Sequence, residues 1–204
     1  MGGASNALTY GVGSTEYANL VHNQFAFVKV PESIRFELIG NLNHGCTAKD
    51  VILHILLNYA AKSETLDRSM EFGGPGLVSL SMDERATLCN MATECSAKTG
   101  ICEPDSLTID WLLERRPELT AEKILDGFVM PDPDAVYDGG IHIVDLSNIL
   151  PMVAHPGDPD MGIPSDPTNG AFVHEIGDVS IDIAYAGSCT AGKEDDFAYY
   201  AMVT

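Results

Sequence analysis

Positive charge is scarce in this chain. Lys and Arg total 11 against 30 Asp and Glu, which leaves a formal net charge of −19 over 204 residues. Phosphate backbones would be repelled from it, so nucleic acid is not expected as a partner. Long apolar runs are missing too: no stretch approaches the ~18–20 apolar residues of a membrane span, so no membrane is expected. The opening MGGASNALTYGVG lacks the basic residues that begin a secretory signal. The cysteines, Cys46, Cys89, Cys95, Cys102 and Cys189, are odd in number and include no C-x-x-C. With 45% apolar residues the chain can build a core without a disulfide framework, and a reduced, cytoplasmic setting fits best. The single Trp111 is expected to pack rather than to bind.

What is present is an alternation of helix and strand patterns. Ser14 is placed to cap a helix with Tyr17, Leu20, Val21 and Phe25 on its apolar face. After Pro31, SIRFELIG (33–40) alternates Ile34, Phe36 and Leu38 as a strand does. Thr47 caps a second helix, TAKDVILHILLNYAA, on which His54 is expected to be structural. A short strand around Met70–Phe72 ends at the turn signal GGPG (73–76). Residues 106–127 read as two helical pieces broken at Pro117, with Glu114, Arg115 and Arg116 on a solvated face. A turn-rich joint (130–140) precedes the strand IHIVDLS (141–147), whose His142 has no neighbour to make it a base. Residues 151–170 form a long Pro/Gly/Asp-rich loop, and its prolines break any EF-hand match for Asp158, Asp160 and Asp166. Strands separated by helices predict an α/β fold.

The stretch 81–105 reads as one helix. Ser81 and Glu84 make a capping box, Gly100 is placed to end the helix, and Pro104 blocks continuation. Leu88, Ala92 and Cys95 form an apolar stripe; Thr87, Asn90 and Glu94 form a polar one. On pattern alone, Asn90 and Glu94 simply face water, as most charged and amide side chains do.

Residues 180–201 read as strand, tight turn and helix, with Ile181, Ile183 and Tyr185 alternating along the strand. Gly187 to Lys193 spells G-x-x-x-x-G-K, the first part of a phosphate-binding loop. The Ser or Thr that should follow is Glu194, with Asp195 and Asp196 behind it, and three carboxylates would repel a triphosphate. Cys189 is the more telling residue. It sits in a glycine-rich turn before a helix, where backbone N–H groups lower a thiol pKa, and thiolates are the usual ligands of iron–sulfur clusters.

Two of these stretches carry a resemblance. LSMDERATLCNMATE (80–94) resembles the LSMD-R-T-CNM-E segment of the aconitase superfamily, most closely that of isopropylmalate dehydratase large subunits. GSCTAGKEDD (187–196) resembles that superfamily's GSCTN segment, with Ala191 in place of the Asn. GVGSTE (11–16) and YDGGIHIVDLS (137–147) are similar to it as well. The resemblance implies that Cys189 is a ligand of a 4Fe-4S cluster, flanked by Ser188 and Thr190. It implies that Asn90 faces the cluster, and that Glu94 handles the substrate hydroxyl and the iron-bound water. The superfamily's upstream DSHT and downstream C-x-x-C motifs do not occur in the sequence, so an internal fragment is expected. Its parts would be the end of one α/β subdomain (1–44), a second subdomain with the LCNMATE helix (45–130), and the start of a third with the GSCT turn (131–204). Aconitase-like α/β/α units are expected, a mixed sheet with helices packed on it.

The implied reaction is removal and re-addition of water on a hydroxy di- or tricarboxylic acid such as 3-isopropylmalate, homoaconitate or citrate. The implied partner is a small swivel-domain subunit that carries the base. The chain alone is expected to be inactive and to hold no stable cluster. The rival readings are a non-catalytic acidic assembly domain and a P-loop-like nucleotide binder.

Overall fold

The computed structural model describes residues 2–9, 11–158, 160 and 169–203. At its centre is a four-stranded parallel sheet of order β3-β2-β1-β4, built from β1 (Ser33–Ile39), β2 (Ser69–Gly73), β3 (Thr99–Cys102) and β4 (Ile141–Asp145). The α/β class is as expected. Among the described residues, antiparallel pairing is confined to a separate two-stranded piece, β5 (Met152–Ala154) with β6 (Gly170–Phe172). Strands from all three segments of the expected division join the one central sheet. Asp166 lies outside the described residues.

Alternation along β1 buries Ile34, Phe36 and Leu38 completely. Phe36 stands in register with Phe72 on β2 and His142 on β4, so the three rings share a face. Two helices cover this face. In α2 (Ala48–Asn58), Val51, Ile52 and Ile55 enter the core; in α3 (Met82–Asn90), Leu88 does. The opposite face carries the ion pairs of Arg35 with Glu37 and Glu103, together with the exposed Ile141 and Ile143.

Local chemistry starts both covering helices as read. The Thr47 hydroxyl accepts from Lys49 N, and Asp50 accepts from Thr47 N at 2.8 Å. The second Asp50 oxygen accepts from Met152 N at 2.8 Å, which ties β5 to α2. Ser81 accepts from Glu84 N, and Glu84 accepts from Ser81 N at 2.9 Å. Pro117 separates α4 (Ser106–Arg115) from α5 (Ala121–Gly127), and Trp111 packs on the core with the Arg115 guanidinium 4.3 Å above its ring.

Three expectations are corrected. The helix from Ser81 does not run to Gly100. It ends at Asn90, and a further turn closes at Ser96, which takes the left-handed conformation (φ 58) while Ala97 N reaches back to Ala92 O. Gly100 lies in β3 instead. A Cβ there would stand 2.8 Å from Cys89 Cα, so this glycine serves the close approach of strand and helix. The strand expected at 180–186 is absent. Ile181, Ile183 and Tyr185 are exposed, and among the described residues no neighbouring strand supplies the ladder that extended backbone needs. Finally, Gly13, not Ser14, occupies the cap position of α1 (Ser14–Asn23), and Tyr17, Val21 and Phe25 remain exposed.

Candidate functional site

Helix α3 and the turn at 187–193 lie about a hundred residues apart in sequence and meet in space. The turn is shaped by backbone that few residues tolerate. Gly187 has φ 132 and Ser188 φ 78, and a Cβ on Gly192 would sit 2.5 Å from the Ser188 carbonyl. A short helix α6 (Val173–Ile176) precedes the turn, and the helix α7 (Glu194–Val203) leads away from it. Left-handed φ at a serine marks a conformation that its surroundings impose, and such positions gather at functional sites.

The turn holds Cys189 at the surface, beside polar side chains. Asn90 Nδ2 donates to Thr190 Oγ1 at 2.7 Å and lies 3.7 Å from Cys189 Sγ; Ser188 Oγ approaches the same sulfur at 3.7 Å. Hydrogen bonds from Ser188 first, then from Asn90 and Thr190, favour the thiolate and hold the Cys189 pKa below the ordinary thiol value. The other four cysteines are buried. Burial pushes Cys95 up to about 12 and Cys46 upward, and the hydrogen bond with Cys89 together with burial raises Cys102. Cys189 is therefore the one cysteine with both access to solvent and thiolate character.

Of the residues singled out in the sequence, Asn90, Ser188, Cys189 and Thr190 converge. Glu94 is not on the helix with Asn90. It stands exposed in the turn beyond, and none of the hydrogen bonds of the described residues joins it to that cluster. Its charge is felt by Lys49, whose Nζ lies 3.2 Å from Met91 Sδ. Further polar contacts at this junction were not foreseen. Ser81 Oγ donates to Asp195 at 2.6 Å, Asp195 N donates to Asp83 at 3.3 Å, and Lys193 turns back onto Thr87, Thr190 and Asp196. Lys193 is thus engaged by protein oxygens. Asp195 and Asp196, acids in the first turn of α7, where the helix dipole favours them, take part in these contacts.

An accessible thiol of lowered pKa suits a cluster ligand, and Asn90 and Ser188 suit the neighbours that tune one. The fit extends to one ligand only. Among the described residues no group of three or more His, Cys, Asp or Glu is placed to hold a metal ion.

Residues 1–204 match the family model of the aconitase family (aconitate hydratase) over their whole length. The chain belongs to the aconitase family. It is 39% identical over 201 residues to the 3-isopropylmalate dehydratase large subunit of Clostridium kluyveri, covering 98% of this chain and 44% of that protein. It is 34% identical over 206 residues to large subunit 1 of Methanopyrus kandleri, covering 98% and 44%. Against the chloroplastic large subunit of Arabidopsis thaliana it is 35% identical over 195 residues, covering 96% and 35%. The chain thus spans less than half the length of these curated relatives.

Proposed function

We propose that this aconitase-family chain forms part of an iron–sulfur hydro-lyase, with Cys189 as one thiolate ligand of a 4Fe-4S cluster. The observation that carries the reading is the exposed Cys189 thiol, held against Asn90 and Ser188 and shifted toward thiolate. In such a site the cluster supplies a Lewis acid that draws off the substrate hydroxyl. This chain's own residues do the rest of the local work. The 187–193 turn presents the sulfur outward. Asn90 fixes the turn through Thr190 and approaches the sulfur with its amide. Glu94, a solvent-facing carboxylate just past the end of α3, is the proton-handling group.

The substrate class is a hydroxy di- or tricarboxylic acid, with 3-isopropylmalate first among candidates because the relatives above are named for it. Homoaconitate and citrate share the chemistry. The same names, large subunit, support a small partner subunit. A cytoplasmic setting suits exposed, low-pKa Cys189, which an oxidising compartment would cap. Among the described residues no helix is long and apolar enough to cross a membrane. The three-part division at 44/45 and 130/131 is kept as part of the proposal, as is supply of the remaining ligands from outside 1–204.

Anaerobic reconstitution of the 204-residue chain with iron and sulfide tests the ligand count. One available thiolate should retain no stable cluster and no hydratase activity. Three to four irons per chain, with broad visible absorption, would show that the chain holds a complete ligand set and that Cys189 has been given the wrong company.

A further inference from the structure

We propose that Lys193 is a positioning residue, a strap that holds the Cys189 turn on helix α3. The proposal deepens the cluster-ligand reading and rests on it only for what the strap serves; the strap itself is geometric.

The Lys193 side chain is 8% exposed, so its ammonium is almost out of water. An ammonium has three N–H donors. Lys193 Nζ directs them at Asp196 Oδ2 (2.7 Å), Thr87 Oγ1 (3.0 Å) and the Thr190 carbonyl. The three acceptors come from α7, α3 and the turn itself, so one group ties three elements. The Asp196 carboxylate offsets the burial of the charge, which an unpaired ammonium could not sustain. Thr87 lies three residues before Asn90, on neighbouring turns of the same helix. Its hydroxyl also lies 3.3 Å from the Thr190 carbonyl, while Asn90 takes the Thr190 hydroxyl. Thr190 is therefore gripped at its carbonyl and at its side chain, and Cys189 is the residue before it. The lysine that completes a phosphate-loop spelling in the sequence is used here on the protein's own oxygens.

The same contacts also fit a lesser role. Lys193 N also donates to Asp196 Oδ2 at 3.0 Å, so Lys193 could do no more than pair with Asp196 at the start of α7. Such a pair would not depend on Thr87. The strap does, and that difference decides the test.

Hydrogen exchange on the 204-residue chain, read by mass spectrometry, compares wild type with Lys193→Met, Lys193→Arg, Thr87→Val and the Lys193→Met/Thr87→Val double variant. Methionine keeps the stem and removes the ammonium; valine keeps the shape of threonine and removes the hydroxyl. Lys193→Met should speed exchange across residues 188–193 by about tenfold or more, the opening expected when a charged hydrogen bond is lost, with β1 and β2 amides unchanged. Lys193→Arg should restore most of the protection. Thr87→Val should loosen the same amides, and the double variant should add little to the larger single effect, because both cut one strap. Exchange at 188–193 that stays at the wild-type rate in Lys193→Met or in Thr87→Val overturns the proposal, as do fully additive effects. If Lys193→Met also releases β1 and β2, the whole chain has loosened, and Thr87→Val, which leaves the Asp196 pair intact, decides alone by the same criterion. None of these readouts needs iron. A failed strap would leave the cluster reading standing, and loss of the cluster reading would leave the exchange result standing.

Discussion

Arg85 and Asp105 form a two-pronged ion pair whose halves are buried unequally: the guanidinium side chain is 0% exposed and the carboxylate 23%. Arg85 also donates to the Leu77 and Leu80 carbonyls, so it pins the start of α3 to the segment before it and to the Asp105 cap of α4. Burial alone would push the Asp105 carboxyl up; the Arg85 hydrogen bonds and charge, with Thr108, outweigh it and bring the carboxyl below its ordinary value. A folded-state value below the unfolded one adds stability that is present above the ordinary carboxylate range and lost as pH falls through the folded value.

Asp105→Asn keeps a capping side chain and removes the charge, leaving Arg85 buried without its partner. It should cost about 3 kcal/mol, the low end for a stranded buried charge. Urea unfolding at neutral pH checks this, as a lower midpoint with unchanged slope. The difference from wild type should shrink in acid, as Asp105 takes up its proton in the parent.

Native thiol titration should find one fast-reacting cysteine, Cys189, and four more only after denaturation. Its alkylation rate should climb with pH through a midpoint below that of a free thiol, since the thiolate is the reacting form. Ser188→Ala and Asn90→Ala should each move the midpoint up. An unmoved midpoint in both would mean that neither hydrogen bond acts on the sulfur.

Much of this was legible because it is local. The cap at Thr47, the capping box at Ser81, the alternation of Ile34, Phe36 and Leu38, and the break at Pro117 each follow from residues within one turn of each other. The end of α3 was not, because Ser96 accepts a left-handed turn more usual for glycine, while Gly100 answers to the backbone of Cys89 across the strand–helix interface. The alternation at Ile181, Ile183 and Tyr185 describes a strand only where another strand lies alongside, which a pattern cannot report. The site divides in the same way. Only the resemblance put Cys189 and Asn90 at one cluster, and the direction in which Lys193 points depends on polar contacts between the turn and α3 that no sequence spacing reports.

In a protein that carries the complete site, Glu94→Gln should leave folding and iron content near wild type while lowering turnover by about 10²–10⁴-fold, the usual cost of losing a positioned proton-transfer group. Steady-state kinetics on 3-isopropylmalate is the check. Turnover within a few-fold of the parent would return Glu94 to the status of a surface carboxylate.

The assignment of Cys189 meets its most direct test in iron and acid-labile sulfide, measured per chain in a protein that carries the complete site, for wild type, Cys189→Ser, Cys46→Ser and Cys102→Ser. The ligand reading predicts a four-iron cluster in wild type, its loss in Cys189→Ser, and its retention when either buried cysteine is replaced. Iron and sulfide in Cys189→Ser equal to wild type would contradict it.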